Sequence, residues 1–219
     1  CARVCVVAVS TTHGAVYNPH GLDVPRLLTM SKQIGSRFVE AYPDAERLDC
    51  AALLELPVDV LCPCARHHTI HHGNAGRILA KLVVGGANNP ITPEAEQTLA
   101  ERSVLCLPDF VANCGGVLGG TMEFAMHSRA AIERVIGWQL GARIALLLRE
   151  SEKQKRSPRD LAEEEALCRF AAMHRLAEQR RLSGRVFELG LEFHRRGWVP
   201  GGLMRRMSKP YFEKRAGEL

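Results

Sequence analysis

Two stretches constrain this chain more than any others: residues 83–95 (VVGGANNPITPEA) and 108–116 (PDFVANCGG). Each is a short apolar, strand-like run that stops in a glycine or asparagine turn and then enters a helix. Strand, Asn-bearing turn and helix, repeated, is how an open α/β sheet presents polar groups to a ligand at its strand ends. The leading expectation is a nucleotide-cofactor domain.

The remaining sequence supplies the other parts of such a sheet. Residues 3–9 (RVCVVAV) read as a buried strand, and 10–21 as turn-rich, punctuated by Gly14, Asn18-Pro19 and Gly21. Residues 22–34 read as a helix with Asp23 as N-cap and Pro25 in the first turn. A short helix over 49–56 is closed by Pro57, and 58–62 (VDVLC) is the second strand. Residues 81–84 are the third strand, 93–102 a helix capped by Thr92, and 104–107 the fourth strand. Strands separated by helical or loop segments point to a parallel sheet with crossovers.

From Ser128 the texture changes. Ile132, Val135, Ile136, Leu140, Ile144 and Leu147 fall at helical spacing, as do Leu167, Phe170 and Ala171, and later Leu182, Val186, Leu189 and Phe193. Residues 153–158 form a polar break between the first two helices. The expected fold is α/β and Rossmann-like: a mostly parallel sheet, truncated at its start, followed by a helical C-terminal tail. The expected division is residues 1–127 for a partial dinucleotide-binding domain and 128–219 for the helical segment.

Charge and composition exclude several classes. No apolar run approaches the roughly 20 residues that cross a bilayer, and the N-terminus has no basic region before its apolar run, as a signal peptide would. Eight cysteines sit in apolar strands or beside turns, which favours reduced core thiols and a cytoplasmic protein. Residues 1–148 carry 12 basic and 13 acidic side chains, whereas 149–219 carry 17 and 11. Acids such as Glu163, Glu164, Glu165, Glu178 and Glu188 are interspersed with that basic excess, and no aromatic ladder accompanies it. A solvated helical face is favoured over a nucleic-acid site.

Asn88 and Asn89 sit at a strand end, and Asn113 holds the same position one strand later. A carboxamide there both donates and accepts, which suits a ribose hydroxyl or a nicotinamide amide; satisfying the turn backbone is the commoner use of such a residue. The string Gly115, Gly116, Gly119, Gly120 lacks G-x-G-x-x-G spacing and is not a phosphate loop.

Four segments, 6–23 (VVAVSTTHGAVYNPHGLD), 58–65 (VDVLCPCA), 80–95 (AKLVVGGANNPITPEA) and 108–120 (PDFVANCGGVLGG), resemble in order and spacing the coenzyme-binding domain of the glutamate/leucine/phenylalanine/valine dehydrogenases. The resemblance covers about residues 3–150. It implies oxidative deamination of an L-amino acid to a 2-oxo acid, with hydride passed to NAD or NADP. It places Asn88 against the nicotinamide-side ribose and Asn113 beside nicotinamide and substrate, with Cys64 and Ala65 lining the cofactor cleft. Ser10 and Thr11 fall where the family binds the adenosine ribose. Thr11 stands where an acid is common, and neither neighbour is acidic, which leaves NADP open. Gly120 stands where glutamate-specific members hold the substrate carboxylate with a serine, which favours a different amino acid.

The same resemblance implies a first strand, a glycine-rich turn and an N-terminal domain with a catalytic lysine and aspartate, none of which these residues contain. With Cys1 in place of an initiator methionine, the expectation is a partial gene product, inactive alone and a homo-oligomer when full length. The density of Cys and His in residues 62–72 (CPCARHHTIHH) is not explained by the resemblance. Their Cys and His density suits a soft metal, with His67/His71 or His68/His72 as helical pairs, but no standard spacing is present. A polar rim loop without metal is expected, and Cys62 is expected to face a core. The alternatives are a non-catalytic module acting through the basic tail and a metal-binding protein.

Overall fold

The computed structural model describes residues 4–124, 127–179, 189–190, 192–203 and 206. Leu182, Val186 and Glu188 of the expected tail helix lie outside them. Two three-stranded sheets are present. In the first, β1 (Ala8–Thr11) turns through Thr12 and His13 into β2 (Gly14–Tyr17), with Thr11 opposite Gly14. Gly14, at φ 109°, takes a backbone position that side chains resist. Helix α1 (Val24–Ile34) follows. Asp23 caps it by accepting from the Arg26 N–H, and the Tyr42 hydroxyl accepts the N–H of Asp23 itself. A 3-10 turn (Gly35–Arg37) and α2 (Phe38–Ala41) lead to β3 (Glu46–Leu48), antiparallel to β2.

This sheet corrects the reading of residues 3–21. The strand lies at the end of the expected run, and the segment read as turns holds a second strand. The β1–β2 pairing is antiparallel because a two-residue turn can only reverse the chain. Val16, Leu27, Phe38, Val39 and Tyr42 form the core beneath it, with Val6, Val9 and Met30 packed alongside. Each such aliphatic or aromatic burial contributes about 1.5–3 kcal/mol.

The second sheet has the order β4-β5-β6. Asp49 caps α3 (Cys50–Leu54) by accepting two N–H groups, and β4 (Val60–Leu61) follows. Helix α4 (His72–Ala75) precedes β5 (Leu82–Val84), which pairs with β4 in parallel, Leu61 opposite Val83. Helix α5 (Pro93–Glu101), capped by Thr92, precedes β6 (Leu105–Leu107). Ile70, Ile78, Val83 and Leu99 are fully buried. The Arg102 guanidinium donates to the carbonyls of Ala75 and Ile78, both at 2.8 Å, and so ties the end of α5 to the end of α4 and the segment after it.

The rest of the described chain is helical: α6 (Asp109–Ala112), α7 (Gly115–Phe124), α8 (Arg129–Arg134), a π-helical segment (Val135–Leu140), α9 (Gly141–Gln154) and α10 (Pro158–Gln179). Lys155, in the left-handed conformation, ends α9 within the expected polar break. The glycine string lies inside α7, where a β-carbon on Gly115 or Gly119 would press on Ile136 and Ile132. These glycines let α7 approach the helix behind it. Leu167 and Phe170 are 69% and 70% exposed, so they do not form the buried face their spacing suggests; Pro158 and Ala162 near the start of α10 are buried instead. Basic residues here are paired, Arg143 with Glu165, Arg156 with Glu164 and Arg159 with Glu163. The excess charge is thus interleaved with acids on the helix surfaces.

The chain forms two compact units that alternate along the sequence: Cys1–Leu61, Ile70–Val83 and Thr92–Leu105 in the first, Cys62–Thr69, Val84–Ile91 and Cys106–Leu219 in the second. Among the described residues, no helix is long and apolar enough to cross a membrane.

Candidate functional site

The segments that follow β4, β5 and β6 belong to the second unit and are bonded to one another there. The Pro63 carbonyl accepts from the N–H groups of Gly86 and Ala87, at 3.2 and 3.1 Å. A β-carbon on Gly86 would lie 2.5 Å from Cys64 Sγ, and one on Gly85 would lie 2.8 Å from Pro90 Cγ. The glycines of GGANN therefore permit close loop packing.

Asn89 carries the bend. Its φ is 46°, a left-handed value that asparagine tolerates better than most residues. Its N–H donates to Asp109 Oδ2 at 2.9 Å, and its carbonyl accepts from the His68 N–H at 2.7 Å. Asp109, 8% exposed, is also approached by Arg159, whose Nη2 lies 3.4 Å from Oδ1 and whose guanidinium stands 5.6 Å from the centre of the Phe110 ring. A buried carboxylate thus holds the turn, and a partly buried cation compensates it.

With Asn89 fixed, Asn88 meets Asn113. Asn113 Nδ2 donates to Asn88 Oδ1 at 2.7 Å and lies 3.4 Å from the Ala87 carbonyl. The two expected rim asparagines are therefore brought together. Asn113 also serves the turn backbone weakly, while the Asn88 carboxamide is bonded to its fellow. Among the described residues, Asn88 Nδ2 and Asn113 Oδ1 have no partner. Asn88, Cys64, Ala65 and Gly86 are exposed on this unit.

The other expected residues are placed apart. Gly120 is exposed on α7, with nothing within 4 Å of where a β-carbon would lie, and the Thr121 hydroxyl donates to the Val117 carbonyl of its own helix. Ser10 and Thr11 belong to the first unit, on β1. The Thr11 hydroxyl donates to the Ser36 carbonyl at 2.9 Å and accepts the His13 N–H at 3.1 Å.

The cysteine–histidine segment is a loop that leads into α4. Residues 62–71 form no helix. His71 instead caps α4, its ring accepting the Gly73 N–H while the Asn74 carboxamide accepts the His71 N–H. His68 has φ 51°. Among the described residues, no three His, Cys, Asp or Glu side chains converge as a metal set. The seven described cysteines are free thiols and only Cys106 is buried, so the core-thiol expectation holds for that one. Cys62 is exposed by surface area because its strand ends at Leu61 and the chain turns at Pro63. Its surroundings are still dense enough that burial, and then the nearby Cys64, push its thiol pKa up. Burial likewise raises Cys114.

Asp109 and Arg159 were not singled out from the sequence. An acid in the first turn of a helix after proline is a common surface feature. Only the fold of residues 85–89 over Asp109 makes it a buried anchor.

Comparisons with known proteins fit this arrangement. Residues 2–138 match the family model described as Glutamate/Leucine/Phenylalanine/Valine dehydrogenase. The chain is similar to a glutamate dehydrogenase from Thermotoga maritima, with 52% identity over 119 residues, 54% of this chain and 28% of the relative. It is 35% identical over 127 residues, 58% of this chain and 30% of the relative, to the NADP-specific glutamate dehydrogenase of Saccharolobus shibatae. The chain thus spans under a third of the length of the curated relatives it matches. Among solved structures, hetero-hexameric glutamate dehydrogenase from Thermus thermophilus in its Leu-bound form superposes with a TM-score of 0.61 at 27% identity, covering 71% of this chain and 37% of that one. L-tryptophan dehydrogenase from Nostoc punctiforme, 22% identical with a TM-score of 0.56, covers 65% of this chain and 43% of that one and shares the fold. The α/β architecture is therefore Rossmann-like with a helical tail, and the chain belongs to the glutamate/leucine/phenylalanine/valine dehydrogenase family.

Proposed function

We propose that this chain is the coenzyme-binding part of an NAD(P)-dependent L-amino-acid dehydrogenase, with residues 1–127 as its partial dinucleotide-binding domain and 128–219 as the closing helical segment. The observation that carries this reading is the exposed Asn88–Asn113 pair, held by the Asn89–Asp109 bond, in a chain of this family. The residues present fit the coenzyme. A ribose hydroxyl both donates and accepts, and the pair keeps one amide donor and one carbonyl acceptor for it. Gly86 and Ala65 offer little side chain to block its approach. When bound, the nicotinamide takes hydride from the amino acid's α-carbon on the way to the 2-oxo acid. The protein's part is to orient: Asn88 holds the nicotinamide-side ribose, Asn113 lies beside the nicotinamide and substrate, and Cys64 and Ala65 line the cleft.

Thr11 brings no negative charge to repel a 2′-phosphate, and one relative is NADP-specific by name, so NADP is accepted alongside NAD. The relatives' names support glutamate as substrate. Gly120 and the committed Thr121 hydroxyl leave its side-chain carboxylate without a ligand at that point, which favours a less polar amino acid. The hexameric Thermus relative supports an oligomer for the complete protein.

Fluorescence titration with NADH and NADPH tests the reading, on the parent and on Asn88→Ala and Asn113→Ala. Each loses a bond worth about 0.5–1.5 kcal/mol, so binding weakens about 2–10-fold. The double variant loses less than the product of the two, because the residues bond each other. No binding of either coenzyme, or an Asn88→Ala affinity equal to the parent's, removes the assignment.

A further inference from the structure

We propose that the open cleft lined by α6, α7, the π-helical segment, α9 and α10 is a binding site for a small apolar carboxylate. The cavity lies within the second unit, measures about 260 Å³ and does not include Asn88 or Asn113 among its lining residues. Its wall is aliphatic, with Leu118, Val135, Leu140 and Leu147, and its polar groups are Arg143, Glu165 and Arg169. That volume falls a little under the roughly 300–1,000 Å³ of sites for drug-sized ligands, which indicates a smaller molecule.

The charges select the ligand's sign. Arg143 Nη2 donates to Glu165 Oε1 at 2.7 Å, and the same oxygen accepts from Arg169. Two guanidinium groups therefore share one carboxylate oxygen. Arg143 Nη1 is buried and has no hydrogen-bond partner among the described residues. Burial, and next the charge of Arg169, lower the Arg143 pKa, which marks a desolvated cation. A buried donor of this kind calls for an acceptor. A carboxylate on a short hydrocarbon satisfies both the donor and the wall.

Isothermal titration calorimetry on the intact protein tests this with hexanoate, the neutral hexanamide and sodium acetate as probes. Hexanoate is expected to bind saturably at one site per chain, with hexanamide and acetate each at least tenfold weaker. Arg143→Met removes the cation and is expected to weaken hexanoate at least tenfold. Ala166→Leu fills the cavity from α10, keeps Arg143, and is expected to abolish binding; it decides the matter if Arg143→Met does not fold. Equal affinities for hexanoate and hexanamide, or unchanged hexanoate binding in either folded variant, overturn the proposal. Acetate binding as tightly as hexanoate overturns it too, since the wall would then contribute nothing. None of these readouts uses the coenzyme, so failure here leaves the dehydrogenase reading untouched.

Discussion

The rim of the candidate site depends on a few side chains whose roles differ more than their sequence suggests. Asn88 and Asn89 look alike in the chain, yet Asn89 spends its backbone on the turn while Asn88 presents its carboxamide. Asp109 connects the two roles. Asp109→Asn keeps an acceptor for the Asn89 N–H but sets an amide against Arg159. The expected cost is about 1–3 kcal/mol in urea unfolding, with less than additive loss when Arg159→Met is added. A loss below about 0.5 kcal/mol, the size of an ordinary surface change, would show that the carboxylate does not hold the turn. Cys62 gives a pH-dependent counterpart. Its raised pKa keeps it a thiol through neutral pH, so its alkylation by iodoacetamide keeps rising with pH past the point where an ordinary thiol levels off. Cys64→Ser removes the second cause of that shift and should speed Cys62 alkylation at pH 8; mass-spectrometric rates unchanged by the substitution would contradict the coupling. None of this was legible residue by residue. That Asn88 and Asn113 share a rim followed from two matching turns on successive strands, but their direct bond depends on loops distant in sequence.

At the scale of elements, the sequence spoke clearly where local chemistry sets a boundary. Asp23 and Thr92 cap the helices they were expected to cap, while Asp49, expected within its helix, is the cap of α3. The hairpin of residues 8–17 was missed because Gly14 reads as punctuation, although here it starts a strand. The glycine string was ambiguous for the same reason. Inside α7, Gly115 faces Ile136, where a β-carbon would sit 3.2 Å from Cγ2, whereas Gly120 has open space around it. Two substitutions in one helix should therefore act in opposite directions. Gly120→Ala is expected to stabilise by about 0.5–1 kcal/mol through helix propensity. Gly115→Val is expected to cost about 1–3 kcal/mol by overpacking. Chemical denaturation of both variants checks the pair, and a stabilising Gly115→Val would mean that α7 does not pack closely through this face.

For the whole molecule, residues that would hold a coenzyme separate, in the proposed reading, from those that would do chemistry. The family match covers residues 2–138, and every contact described at the rim positions a ligand without supplying a general acid, a base or a carbonyl-polarising cation. In the reading proposed here, the family's catalytic lysine and aspartate have no counterpart in these 219 residues. Losing a positioned acid–base group costs roughly 10²–10⁴-fold in rate, and losing a charge-stabilising donor roughly 10²–10³-fold more. A polypeptide of these residues is therefore expected to bind NAD(P)H yet leave reduced coenzyme unconsumed with 2-oxo acids and ammonium, glutamate and leucine derivatives alike. The measurement is reduced-coenzyme absorbance over hours at high enzyme concentration, with the binding titration run beside it. Binding without turnover fits a coenzyme half whose chemistry lies elsewhere. Turnover above the enzyme-free control would locate acid–base groups within this chain, and the histidines of residues 67–72 would be the first to replace.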